Sequence, residues 1–234
     1  MATNNTDAIG ENIKRVRCAI AEASQSSGRD PASIKLVAAA KTRPSSCVVQ
    51  AIAHGVDAVG ENRVQEMLFK KAEDAYRGAP LHFIGHLQSN KVRNVVGVCD
   101  LIESVDSLGL IELIGRRAVS LGIVQDVLIE VNVGREIQKA GVLPERTEEI
   151  LHHASLTDGV NVLGLMAVPP ILQDNYTDCH CFETMFQLFV DMSTKKYDNV
   201  AMRYLSMGMS GCYAEAIRAG SNVVRIGSAI FGER

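Results

Sequence analysis

With 234 residues, 47% of them hydrophobic and 22% charged, the chain has the make-up of a globular protein able to bury one sizeable core without staples. A formal net charge of −3 weighs against a duplex or membrane-surface binder, which normally shows a basic face. No apolar run approaches the roughly 20 residues of a membrane span, so neither nucleic acid nor membrane is expected as a partner.

The first element is a helical pattern over residues 8–24, where Ile9, Ile13, Val16 and Ile20 recur at helical spacing. Strand 36–40, helix 45–54, strand 58–60, helix 63–76, strands 81–85 and 101–104 and helix 107–121 follow. The second half reads as strand 126–133, helix 144–154, strands 160–166 and 201–206, helix 211–219 and strand 223–226. Strand-then-helix repetition implies a parallel sheet, because each parallel pair needs a crossover. Eight strands at this length suit a closed (β/α)8 TIM-type barrel, whose usual size is about 250 residues, with the first helix as an addition. An open doubly wound sheet is the rival. Residues 169–176 read as a mobile loop, and no linker or second compositional regime interrupts residues 1–234, so a single domain is expected.

Nothing near the N-terminus reads as a secretory or transit signal: Asp7 and Glu11 come early and no apolar stretch follows them. The six cysteines form neither a CxxC pair nor a disulfide framework, so reduced thiols in the cytoplasm are expected. Cys179-His180-Cys181 lacks the spacing of a zinc site, and adjacent helical residues face different ways, so no metal is expected.

In a barrel of this kind, chemistry gathers at the carboxyl ends of the strands. Lys41 directly follows the first strand, where desolvation would favour a neutral amine able to condense with an aldehyde. Position alone better suits a lysine that snorkels to the surface. The last strand ends Val224-Arg225-Ile226-Gly227-Ser228, and the one before it ends Ser206-Met207-Gly208-Met209-Ser210. Two adjacent glycine- and serine-bearing loops suit a phosphate cup made of backbone N–H groups and hydroxyls. Asn62 and Asn132 suit the orienting of a bound ring. His86 has no visible carboxylate partner and reads as structural or gating.

These segments include Ala39-Ala40-Lys41-Thr42, Gly60-Glu61-Asn62, Val64-Gln65-Glu66 and His82-Phe83-Ile84-Gly85 running on to Leu87-Gln88-Ser89-Asn90-Lys91. Gly164-Leu165-Met166, the two phosphate-cup loops and Ile230-Phe231-Gly232 complete the set. From about Asn12 to the C-terminus the pattern resembles the pyridoxal phosphate homeostasis protein family, with the alanine racemase barrel a more distant likeness. The resemblance implies pyridoxal 5′-phosphate (PLP) as cofactor, held as a Schiff base on Lys41. It places Asn62 beside the ring, Arg225 opposite the pyridine nitrogen, and Ser206, Gly227 and Ser228 at the phosphate. Family members often have threonine where Ser228 stands, and many bacterial ones have proline where His86 stands. The segment Val133-Gly134-Arg135-Glu136-Ile137-Gln138-Lys139 departs from the serine-rich stretch that commonly precedes its lysine.

An arginine opposite the ring nitrogen disfavours the pyridinium proton on which most PLP chemistry depends. Racemases with this barrel add a second domain carrying a tyrosine acid/base. This chain ends at Arg234, soon after the phosphate loop, and nothing aims Tyr204 or Tyr213 at a substrate. The expectation is therefore a non-catalytic PLP carrier or buffer, serving PLP-dependent apo-enzymes as a monomer or weak dimer. A low-activity amino-acid racemase is the alternative, and a PLP-free barrel enzyme acting on sugar phosphates a third.

Overall fold

The computed structural model describes residues 5–170 and 180–233. Eight parallel strands close on themselves in sequence order: β1 (Lys35–Ala39), β2 (Ala58–Glu61), β3 (Leu81–Phe83), β4 (Leu101–Val105), β5 (Gln125–Glu130), β6 (Val160–Met166), β7 (Val200–Ser206) and β8 (Val223–Ile226). Closure is made by β8 against β1, with Val37 opposite Arg225. The expected TIM-type barrel is therefore the fold, and the open-sheet rival falls.

The strands are nearly continuous apolar runs because both faces are covered, one by the barrel interior and one by helices. The helices are α1 (Asn5–Ser26), α2 (Ser45–Ala53), α3 (Val64–Ala72), α4 (Leu108–Ser120), α5 (Thr147–Ser155), α6 (His180–Ser193), α7 (Tyr213–Arg218) and α8 (Ser228–Phe231). The additional helix α1 exists because Ile9, Ile13, Val16 and Ile20 make one buried stripe against Ala51, Ile217 and Ile230. Each such buried aliphatic side chain contributes about 1.5–3 kcal/mol.

Among the boundaries that differ from the sequence reading, three have a clear local reason. Strand β3 stops at Phe83 rather than residue 85: Ile84 still donates to the Glu61 carbonyl, but the Gly85 carbonyl is taken by the Ser104 hydroxyl at 2.5 Å. Strand β5 stops at Glu130 rather than residue 133, because Val131 and Asn132 turn aside to pair with Val142. Helix α3 ends at Ala72 rather than residue 76, since Asp74 and Arg77 take left-handed backbone. Most of the anticipated loop at 169–176 lies outside the described residues, as does Cys179. Among the described residues no group of three or more His, Cys, Asp or Glu side chains is placed to hold a metal, and no helix is long and apolar enough to cross a membrane.

Side-chain parity sets the interior. Val37, Ala58, Val223 and Tyr204 pack together inside the barrel, as do Leu101, Leu128, Leu163 and Met166. This apolar plug fills the lower barrel. Among the residues that follow it inward along the strands are Glu103, Ser206 and Arg225.

Candidate functional site

Above the plug, His82, Glu103, Ser206 and Arg225 form a buried polar floor. Glu103 Oε1 lies 2.6 Å from His82 Nδ1, and Glu103 Oε2 accepts from the Ser206 hydroxyl at 2.6 Å. Arg225 Nη1 donates to Ser206 Oγ at 2.5 Å and lies 3.8 Å from Glu103 Oε2, while Nη2 donates to the Ala167 carbonyl at 2.9 Å. Burial disfavours charge on Glu103, but the His82 bond, the His82 and Arg225 charges and the Ser206 hydroxyl outweigh it and hold the carboxyl below its ordinary range. Burial likewise pulls the Arg225 guanidinium down, against the pull of Glu103 and Glu130.

A cavity of about 730 Å³ opens above this floor at the carboxyl ends of the strands. Lys41, Asn62, Arg225, Gly227 and Ser228 all line it, together with Ser210 and Arg43. The sequence-predicted residues thus come together from β1, β2 and β8, with the loop after β7 between them. Lys41 stands exposed at the mouth rather than desolvated, because the chain turns immediately after Ala39.

Ser206 does not line the cavity. It is fully buried in the floor, its hydroxyl donating to Glu103 and accepting from Arg225. The end of β7 explains this: Ser206 is still within the strand, whereas Ser210 lies on the loop beyond it. Ser210 Oγ accepts from the backbone N–H groups of Gly227 and Ala229, each at 3.2 Å. Two amides thus converge on one oxygen at the cavity wall, a small-anion arrangement. Among the six expected site residues, Ser206 is the one placed elsewhere, and Ser210 was within the quoted motif but unassigned.

Asn132 is also elsewhere. Its side chain bonds the Glu136 N–H and the Glu136 and Lys139 carbonyls, so it folds its own loop rather than orienting a ring. His86 does have a carboxylate partner, Asp106 at 3.3 Å, brought from the loop after β4. Nearby Glu130 is pushed above the ordinary carboxylate range by burial and then by the Asp106 charge, with Arg225 and His86 opposing. Asn62 lines the cavity with its Oδ1 buried and without a hydrogen-bond partner. A buried carbonyl left that way costs free energy, so a ligand donor has a place waiting.

The fold and the cavity at its strand ends define the class: residues 5–234 match the family model described as alanine racemase, N-terminal domain. A curated relative in Aquifex aeolicus, named pyridoxal phosphate homeostasis protein, is 42% identical over 96% of this chain and 97% of its own length. The chain belongs to the pyridoxal phosphate homeostasis protein family. The crystal structure of an unknown protein from Bifidobacterium adolescentis superposes with a TM-score of 0.91 at 36% identity, covering 99% of this chain and 97% of that one. The structure of PipY from Synechococcus elongatus with PLP bound gives a TM-score of 0.81 at 30% identity, covering 96% of this chain and all of that one.

Proposed function

We propose that this chain binds pyridoxal 5′-phosphate in the cavity above the polar floor and acts in PLP homeostasis as a non-catalytic carrier or buffer. The observation that carries the reading is the gathering of Lys41, Asn62, Arg225 and the Ser210–Gly227–Ser228 wall on one cavity. The PLP-bound PipY relative and the names of the curated relatives support it.

The residues present fit the cofactor. The Ser210 and Ser228 hydroxyls line the cavity as donors for a phosphate, with Ser210 oriented by the Gly227 and Ala229 amides and Gly227 leaving room for close approach. The unpartnered Asn62 Oδ1 can accept from a donor group of the bound ligand, and Lys41 supplies the amine for covalent attachment. When bound, the cofactor supplies an aldehyde for amines and a ring that accepts electrons. Arg225, held between Ser206 and Ala167, donates toward the ring nitrogen and opposes a proton there by its own charge. Electron withdrawal by the ring is thereby weakened.

The same floor argues for a carrier over a racemase. Among the described residues no tyrosine lines the cavity. The Tyr204 ring is packed low in the barrel beneath Lys35 Nζ, 5.2 Å from its centroid, and Tyr213 packs outside with the α1 cluster. Exchange with PLP-dependent apo-enzymes in the cytoplasm, by a monomer or weak dimer, completes the proposal.

A chiral assay with several L-amino acids separates the two roles. The carrier reading expects no turnover by the PLP-loaded protein above that of free PLP. Robust racemisation that disappears in Lys41→Ala would overturn it. A second expectation concerns the anion wall: Ser210→Ala removes a hydroxyl bond to a charged ligand, about 1.5–3 kcal/mol or roughly tenfold or more in PLP affinity. Equilibrium titration checks this, with Ser206→Ala weakening the fold rather than the phosphate contact.

A further inference from the structure

Two side chains of α3 reach the backbone on either side of Lys41. Lys70 Nζ donates to the Ala40 carbonyl at 2.8 Å and is itself held by Glu61 Oε1 at 2.6 Å. Both members of this pair are buried, with side chains 4% and 0% exposed, and the Tyr76 hydroxyl donates to the same carboxylate oxygen at 3.3 Å. One residue beyond Lys41, the Thr42 N–H donates to Glu66 Oε2 at 2.8 Å. The residue before Lys41 and the residue after it are thus both tied to α3.

Thr42 needs such a tie. Its φ of 62° lies in the left-handed region, which a β-branched residue adopts only when its surroundings impose it. The buried pair is equally telling. Taking a lysine and a glutamate out of water gains little over an apolar pair of the same volume. Here the lysine spends a proton donor on the one carbonyl that anchors the Lys41 turn. None of Glu61, Glu66 and Lys70 lines the cavity, so none is placed to touch the ligand.

We propose that Lys70 and Glu66 are positioning residues for Lys41, with Glu61 orienting Lys70. They set where the lysine side chain leaves the barrel rim, and so how its amine meets the cavity. The lysine stem is long and flexible, so its root is the part the fold can control. This inference rests on the PLP reading above.

The test loads the wild type, Glu66→Ala, Glu66→Gln and the double variant Glu61→Gln with Lys70→Met with PLP. It follows the rate at which the visible PLP–lysine band is lost to an added amine scavenger, the pH midpoint of that band, and the thermal midpoint. Glu66→Ala and the double variant are expected to lose the band about tenfold faster, a change worth about 1.4 kcal/mol, and to shift its pH midpoint. Glu66→Gln keeps an acceptor oxygen for the Thr42 N–H and is expected to behave like the wild type. Because Glu66 is partly exposed and the double variant removes both buried charges together, both are expected to fold. Variants with wild-type band kinetics and pH midpoint overturn the positioning role, whether or not their thermal midpoints move. A wild-type protein that forms no band overturns the PLP reading, and this inference with it.

Discussion

Glu103→Ala is expected to lower the unfolding free energy by about 3–5 kcal/mol, because it leaves the Arg225 charge buried without its carboxylate. That is a large share of the roughly 5–15 kcal/mol a native domain has. Glu103 is fully buried and serves three partners, so its removal also orphans the His82 ring and frees the Ser206 hydroxyl. Urea unfolding should show a lower midpoint at an unchanged slope. Replacing charge and counter-charge together, Glu103→Leu with Arg225→Met, is expected to restore much of the loss. A Glu103→Ala midpoint equal to that of the wild type would mean the floor is held by packing alone.

The pH dependence has a definite sign. The Glu103 carboxyl is held below its ordinary range in the fold. Its contribution is therefore complete above the unfolded carboxylate pKa of about 4.3 and is lost as pH falls from there through the folded value. Glu61 works in the opposite sense: burial lifts its carboxyl despite Lys70 and Tyr76, so protonation there favours the fold in acid and its contribution fades as pH rises. Acid titration of Glu103→Gln should be flatter than that of the wild type.

Gly85→Ala is the second large effect, and it falls on the site. A Cβ at Gly85 would stand 2.2 Å from the Asn62 carbonyl oxygen and 2.7 Å from its Cα, distances at which backbone must move. Overpacking of this kind costs about 1–3 kcal/mol or more. Relief can come only by displacing the Asn62 peptide, because the Gly85 carbonyl is pinned by Ser104. Each 1.4 kcal/mol of that strain carried into the ligand contacts is about tenfold in PLP affinity, so a loss of at least that size is expected by titration. Gly109→Ala is the control. It lies in α4 with nothing within 4 Å of the new methyl, and it should raise stability by up to about 1 kcal/mol while leaving PLP binding alone. Unchanged PLP binding by Gly85→Ala would detach Asn62 from the site.

The barrel was legible because its strands are short, apolar and evenly interleaved with amphipathic helices, and the strand-end rule together with the family resemblance pointed to Lys41, Asn62, Ser206, Arg225, Gly227 and Ser228. What escaped the sequence depended on register or on contacts between distant elements. Ser206 and Ser210 share one motif, and only the end point of β7 decides which faces the floor and which the cavity. Glu103 carried a signal, a carboxylate amid the apolar run of β4, which reads as an interior partner once Arg225 is placed inside. Lys70 carried none, since it resembles an ordinary charge on the surface of an amphipathic helix, while Glu66 stood in the quoted Val64-Gln65-Glu66 segment without a role. Asp106 was invisible as the partner of His86 because it comes from the next strand-end loop.

Borohydride reduction of the PLP-incubated protein, followed by peptide mass mapping, tests the central claim most directly. The account predicts a visible absorbance band that bleaches on reduction and leaves a pyridoxyl mass on the peptide carrying Lys41, with no adduct there in Lys41→Ala. A protein without the band in excess PLP, or one labelled instead at a lysine away from the cavity, such as Lys91, would contradict it.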